Sequence, residues 1–132
     1  MDELLHTDLT DKIIKAYYKV YNALGYGFLE KVYENALLIE LLAMGLLVEQ
    51  QKPIKVFYGQ HPVGEYFADL LIEGTVILEL KAVEALHYSH EAQLQNYLRA
   101  TEVEVGLLLH FGHKPEFKRK VFSNKRKALA TK

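Results

Sequence analysis

Two carboxylates and a lysine stand inside apolar runs: Asp69 in Phe67-Ala68-Asp69-Leu70-Leu71-Ile72, and Glu79 and Lys81 in Val76-Ile77-Leu78-Glu79-Leu80-Lys81. Both runs read as strands of a sheet core, where an ionised side chain is costly unless it is paired or holds a metal. Glu79 and Lys81, two residues apart on one strand, share a face at a separation of about 6–7 Å. That is the reach of a shared phosphate or cation. Gln93 and Tyr97 follow on a helical segment, four residues apart and therefore on one face. By themselves they read as a partly exposed amide and a packing aromatic, and the functional alternative is that they orient Lys81 and grip a phosphate.

A hairpin must bring these groups together, and its register follows from the aliphatic pattern. With a three-residue loop, Glu73-Gly74-Thr75, Gly74 supplies a positive φ, Ile72 pairs with Val76, and Asp69 faces Glu79. Leu70, Ile72, Val76, Leu78 and Leu80 then form one aliphatic face, and Asp69, Leu71, Ile77, Glu79 and Lys81 the other. A two-residue turn would place Glu79 among the aliphatics, because a slip of one residue inverts every side chain. Carboxylates this close either share a proton or hold a divalent cation. Lys81 favours the ionised form and hence the cation. Mg²⁺ or Mn²⁺, which prefer oxygen donors, suit Asp69 and Glu79 with the Leu80 carbonyl as a third ligand.

Upstream, Gly27-Phe28-Leu29-Glu30-Lys31-Val32-Tyr33 spells a GxxExxY signature. With the Asp69 strand, Glu79-Leu80-Lys81 and the Gln93–Tyr97 pair in the same order, the chain from about Leu9 to Phe111 resembles the GxxExxY proteins of the PD-(D/E)XK nuclease superfamily. Ala68 stands where the superfamily name places a proline, a change that removes no ligand. The resemblance implies a restriction-endonuclease-like core and metal-dependent hydrolysis of DNA or RNA, with Glu30, Asp69, Glu79, Lys81, Gln93 and Tyr97 as the catalytic set. It also implies that Glu30 reaches the Asp69 and Glu79 site from an adjacent helix and adds to the metal ligands. Tyr33, one turn on, is expected either to hold Glu30 or a phosphate through its hydroxyl or to serve as a half-buried core tyrosine.

The elements that must position these residues read in the order α-α-β-β-β-β-α-β, an α/β (α+β mixed sheet) class with helices flanking about four to five strands. Helices are expected from about Leu9 to Leu24, capped by Thr7, Asp8 or Thr10, and from Phe28 to Met44, stopped by Gly45. Strand-like segments follow at Leu47–Gln51 and Ile54–Tyr58 before the hairpin. A helix from about Ser89 to Ala100 then leads to a doubly buried strand, Val103–Phe111, parallel to the Glu79 strand.

The 132 residues, half of them hydrophobic, suffice for one domain spanning 1–132. There is no cysteine, which excludes disulfides and thiolate zinc sites. No apolar run is long enough for a membrane span, and Met1-Asp2-Glu3 lacks the basic start of a secretory signal, so the chain reads as cytoplasmic with no membrane partner. Residues 1–112 carry eight Lys and Arg against sixteen Asp and Glu, whereas 113–132 carry eight against one. This basic tail, with Lys118-Arg119-Lys120, could contact a phosphate backbone or simply be solvated, and Phe117, Val121 and Phe122 suggest that part of it packs before the last residues. His87 with His90, and His110 with His113, have a spacing that zinc uses only on a helix with further ligands, so a histidine zinc site is disfavoured. The second functional reading is a catalytically inactive module that binds nucleic acid, or one whose Tyr17, Tyr18, Tyr21 and Tyr26 form a homodimer or a docking face.

Overall fold

The computed structural model describes residues 5–130 of the chain. Helices α1 (Thr7–Leu24) and α2 (Glu30–Ala43) precede strands β1 (Val48–Tyr58), β2 (His61–Ile72) and β3 (Val76–Lys81). Helix α3 (Tyr88–Ala100) crosses to β4 (Val105–Phe111), and β5 (Pro115–Val121) and α4 (Asn124–Ala130) complete the order. The five strands form one sheet in sequence order. β3 and β4 are parallel, as their connection through a helix requires, and the other pairs are antiparallel.

Each face of the sheet has its own core. Ile13, Ala16, Tyr17 and Val20 of α1 and Tyr33, Leu37 and Leu41 of α2 recur at helical spacing and pack on Leu70, Ile72, Val76, Leu78 and Leu80. On the opposite face, Leu94, Tyr97 and Leu98 of α3 pack on Leu71, Ile77 and Leu108. β4 lies between the layers and is buried along its whole length. Leu94 presses so closely on Gly106 that a Cβ there would lie 2.7 Å from its Cδ1, which explains the glycine in an otherwise aliphatic strand.

The hairpin register is the expected one, with Ile72 opposite Val76 and Leu70 opposite Leu78. Both Glu73 and Gly74 have positive φ, and Thr75 N–H donates to the Ile72 carbonyl at 2.9 Å. The carboxylate of Glu73 accepts from Leu47 N–H at 2.6 Å, an anchor that holds this non-glycine residue in the turn.

Three details differ from the sequence reading. Leu47–Gln51 and Ile54–Tyr58 are not two strands but parts of one, β1, and Pro53 is tolerated because β1 is an edge. Most of the expected basic tail is β5 and α4: Phe117 and Val121 pack against the α1 core, as expected, but as part of an edge strand that the sequence reading did not assign. The ends of the expected unit, residues 1–4 and 131–132, lie outside the described residues. Thr7, Asp8 and Thr10 fall inside α1, whose N-cap is His6 without a side-chain cap.

Tyr33 is fully buried, stacked on Phe111 with ring centroids 4.1 Å apart. Its hydroxyl donates to the Gly25 carbonyl at 2.6 Å and accepts from Phe28 N–H at 3.3 Å, so it ties the α1–α2 loop to the core. The expected contact of Tyr33 with nucleic acid is therefore not available, since the side chain has no surface to offer. Tyr33→Phe should lower unfolding free energy by about 1–2 kcal/mol, the cost of losing a partly buried hydrogen bond, and Tyr33→Ala by about 3–5 kcal/mol. Urea titration measures both; an unchanged midpoint for Tyr33→Phe would mean that the hydroxyl does not hold the loop.

Candidate active site

The β2–β3 ladder runs from Ile72–Val76 to Leu70–Leu78, and beyond that point side chains replace backbone carbonyls as acceptors. Asp69 N–H donates to Glu79 Oε2 at 2.9 Å, and Leu80 N–H donates to Asp69 Oδ2 at 2.7 Å. The two strands thus fork where the carboxylates stand. A local twist accompanies the fork: Gln51 on β1 has φ 51°, and Ala68 packs in the α3-side core with Leu71 while Leu70 joins the α1-side core. Asp69 lies at the change of alternation, within reach of residues from both helical layers.

The surroundings of the fork are strongly acidic. Glu79 is buried, and burial first, then the adjacent Asp69, pushes its carboxyl well above the usual range. The Asp69 amide and Lys81 act against this shift, and Glu30 adds to it. Asp69 is also raised, by burial and by Glu34, against the opposing effects of the Leu80 amide, Gln51 and Lys81. Tyr97 is pushed up to about 12 by burial and by the charges of Glu79 and Asp69, which keeps its hydroxyl protonated at neutral pH. Gln93 Nε2 donates to the Tyr97 oxygen at 3.0 Å, leaving the phenolic proton for another acceptor.

Glu30, the first residue of α2, accepts from Ala82 N–H at 3.3 Å, just past Lys81. The structure therefore brings Glu30, Asp69, Glu79, Leu80, Lys81, Gln93 and Tyr97 to one end of the β3 strand. Two supporting residues escaped the sequence reading. Glu34, one turn after Glu30 and buried, accepts from Gln50 at 2.8 Å, Gln51 at 3.0 Å and Lys31 at 3.0 Å. Gln51 also donates to Asp69 Oδ1 at 3.4 Å, linking α2 to the fork. Their signal was the i, i+4 pair of glutamates and the double amide Gln50-Gln51 at the end of a strand-like segment.

The remaining candidates are placed elsewhere. Lys118, Arg119 and Lys120 lie on β5, separated from β3 by β4, and do not form one basic stripe. Lys120 pairs with Glu91 at 2.6 Å, and Arg119 projects to the other face, where it donates to the Leu5 carbonyl. His87 and His90 cap α3, His110 is buried against the Val83 carbonyl at 2.5 Å, and His113 packs against the Tyr26 ring. Tyr17 is buried, Tyr18 and Tyr21 are partly buried against the same core with Tyr21 donating to the Gly112 carbonyl, and Tyr26 is exposed.

The model of the PD-(D/E)XK nuclease superfamily matches residues 7–120. The chain belongs to that superfamily. The crystal structure of SSO0001 has a similar fold, with a TM-score of 0.54 over 76% of this chain at 18% identity, and this chain spans 55% of that protein's length. No curated protein matches. PD-(D/E)XK nucleases typically use divalent metals. Among the described residues no three His, Asp or Glu side chains gather into a cage. The donor set nevertheless fits a hard cation that keeps most of its water: backbone amides occupy one oxygen of each carboxylate, and Glu79 Oε1 and the weakly held Asp69 Oδ1 remain. No helix among the described residues is long and apolar enough to cross a membrane.

The raised carboxyls make stability depend on pH. Glu79 binds its proton more tightly folded than unfolded, so unfolding releases a proton. Stability in metal-free buffer should be full below the ordinary carboxylate value and fall as pH rises toward the raised one. Glu79→Gln should flatten this decline and stabilise the metal-free protein at its alkaline end by about 1–2 kcal/mol. Denaturation midpoints across pH test this; a decline that persists unchanged in Glu79→Gln would contradict it.

Proposed function

We propose that this chain is a metal-dependent nuclease of the GxxExxY type that hydrolyses phosphodiester bonds in nucleic acid at the β2–β3 fork. The observation that carries the reading is the pair of strand-borne carboxylates, Glu79 accepting from the Asp69 amide and Asp69 from the Leu80 amide, with Lys81 beside them. A phosphodiester under attack gathers negative charge on oxygens already charged, so its cleavage needs fixed positive groups and a positioned nucleophile. Glu30 would support a second ion or orient a water, while Asp69 and Glu79, with the Leu80 carbonyl, would hold Mg²⁺ or Mn²⁺. That ion, when bound, supplies positive charge to the phosphate oxygens and makes water more acidic.

The chain's own residues do the rest. Lys81 projects from the same strand as Glu79 and offers its ammonium to the phosphate or to the attacking water. The Tyr97 hydroxyl, protonated and oriented by Gln93, donates to a phosphate oxygen. Glu34 and Gln51 position Asp69 without touching substrate. A second reading, an inactive protein-interaction module, draws support from the exposed apolar row Leu29, Val32, Ile39 and Leu42 along α2.

Asp69→Asn, Glu79→Gln and Lys81→Ala should each reduce cleavage of a mixed DNA and RNA substrate panel in Mn²⁺ by at least about 100-fold, with the far-UV spectrum preserved. Cleavage that survives all three substitutions would rule out this site.

A further inference from the structure

Beside the fork, the β1–β2 hairpin and α3 enclose a groove of about 840 Å³ whose walls are Phe57 and Tyr66 on one side and Gln93, Asn96, Tyr97 and Arg99 on the other. We infer that this groove takes the unpaired bases of a single-stranded nucleic acid, with Tyr66 and Phe57 as stacking surfaces, and so sets the substrate class of the proposed nuclease site. The inference rests on the nuclease reading for its chemistry, though the groove itself stands on separate observations.

Tyr66 sits opposite Ile54, on the face of the hairpin turned toward α3. It is half exposed, with its ring centroid 5.7 Å from that of Tyr97, and Phe57 is exposed to a similar degree. Two large aromatic rings left open in one concave wall are unusual for surface side chains and suit a flat, apolar guest. The opposite wall supplies what a base edge needs: the amides of Gln93 and Asn96 carry both donors and acceptors. Arg99, held over the Phe122 ring at 5.2 Å, adds a positioned cation for a phosphate.

Continuity with the fork gives the groove its direction. Gln93 and Tyr97 form its inner wall, and the Tyr97 hydroxyl lies in the field of Asp69 and Glu79. A base seated against Tyr66 would carry its own phosphate toward those carboxylates. A groove of about 840 Å³ is in the range of ordinary ligand sites and accommodates bases presented singly. Charge points the same way. Acidic residues outnumber basic ones two to one over residues 1–112, and Arg119 and Lys120 are engaged within the protein. Backbone neutralisation is therefore scarce here, and base stacking, which demands less charge, is the interaction this surface can offer.

Fluorescence anisotropy of a labelled oligothymidine of ~12 nucleotides, with Asp69→Asn as the uncleaving background in Mn²⁺, tests the groove. Tight single-strand binding is expected, with a duplex of equal length bound more weakly. Adding Tyr66→Ala or Phe57→Ala should weaken single-strand binding roughly 10-fold, and Tyr66→Phe should preserve it. Absent oligothymidine binding, preference for the duplex, or indifference to both alanine substitutions would overturn the inference. The nuclease reading is judged separately, by cleavage with otherwise wild-type protein. Duplex cleavage at an undiminished rate in Tyr66→Ala would refute the groove and leave hydrolysis standing. Tyr66-dependent binding without any turnover would do the reverse.

Discussion

Placing two carboxylates inside a hairpin is an electrostatic cost that the surrounding structure must offset, and the solution is to let the carboxylates replace part of the hairpin's own ladder. Asp69 takes the Leu80 amide, and Glu79 takes the Asp69 amide. Each bond satisfies a backbone donor that the forking strands would otherwise strand, and each draws an acidic side chain to a fixed place. The bonds do not remove the excess negative charge. Both carboxyls remain shifted upward, which is the condition of a site awaiting a proton or a cation.

The other elements can be read as supports for that fork. α2 begins at Glu30 and reaches β3 through the Ala82 amide, and one turn later its buried Glu34 holds Gln50 and Gln51. The loop that starts α2 is pinned in turn by Tyr33, whose ring is stacked on Phe111 at the end of β4. On the other face, the close contact of Leu94 with Gly106 seats α3 so that Gln93 and Tyr97 face the carboxylates. Glutamate and tyrosine in the Gly27–Tyr33 signature thus have different duties. Glu30 serves the site, and Tyr33 serves the fold that presents it.

What was legible in the sequence was whatever produces a period. The aliphatic alternation around Gly74 determined which residues of β2 and β3 share a face, because the wrong register would have buried Glu79 with Leu70 and Ile72. Helices α1 and α2 were legible from their spacing of Ile, Tyr, Val and Leu. As a strand β5 was not, since Lys118-Arg119-Lys120 between Phe117 and Val121 breaks the apolar alternation and looks locally like a solvated tail. The union of two segments into β1 was obscured by Pro53, and by Gln51, whose left-handed backbone angle leaves no mark in residue type. Glu34 was hidden for a related reason: a helical glutamate normally faces water, and only the tertiary arrangement shows two glutamines waiting for it.

The central claim is that Asp69 and Glu79 share one cation site in which a cation displaces a proton. The most direct measurement is a calorimetric titration of Mn²⁺ at neutral pH in buffers of different ionisation enthalpy, for the wild type and for Asp69→Asn. The wild type should bind with release of about one proton per ion, because the raised carboxyl must ionise to become a ligand, and Asp69→Asn should show no binding. Binding without proton release, or equal binding by both proteins, would contradict the account.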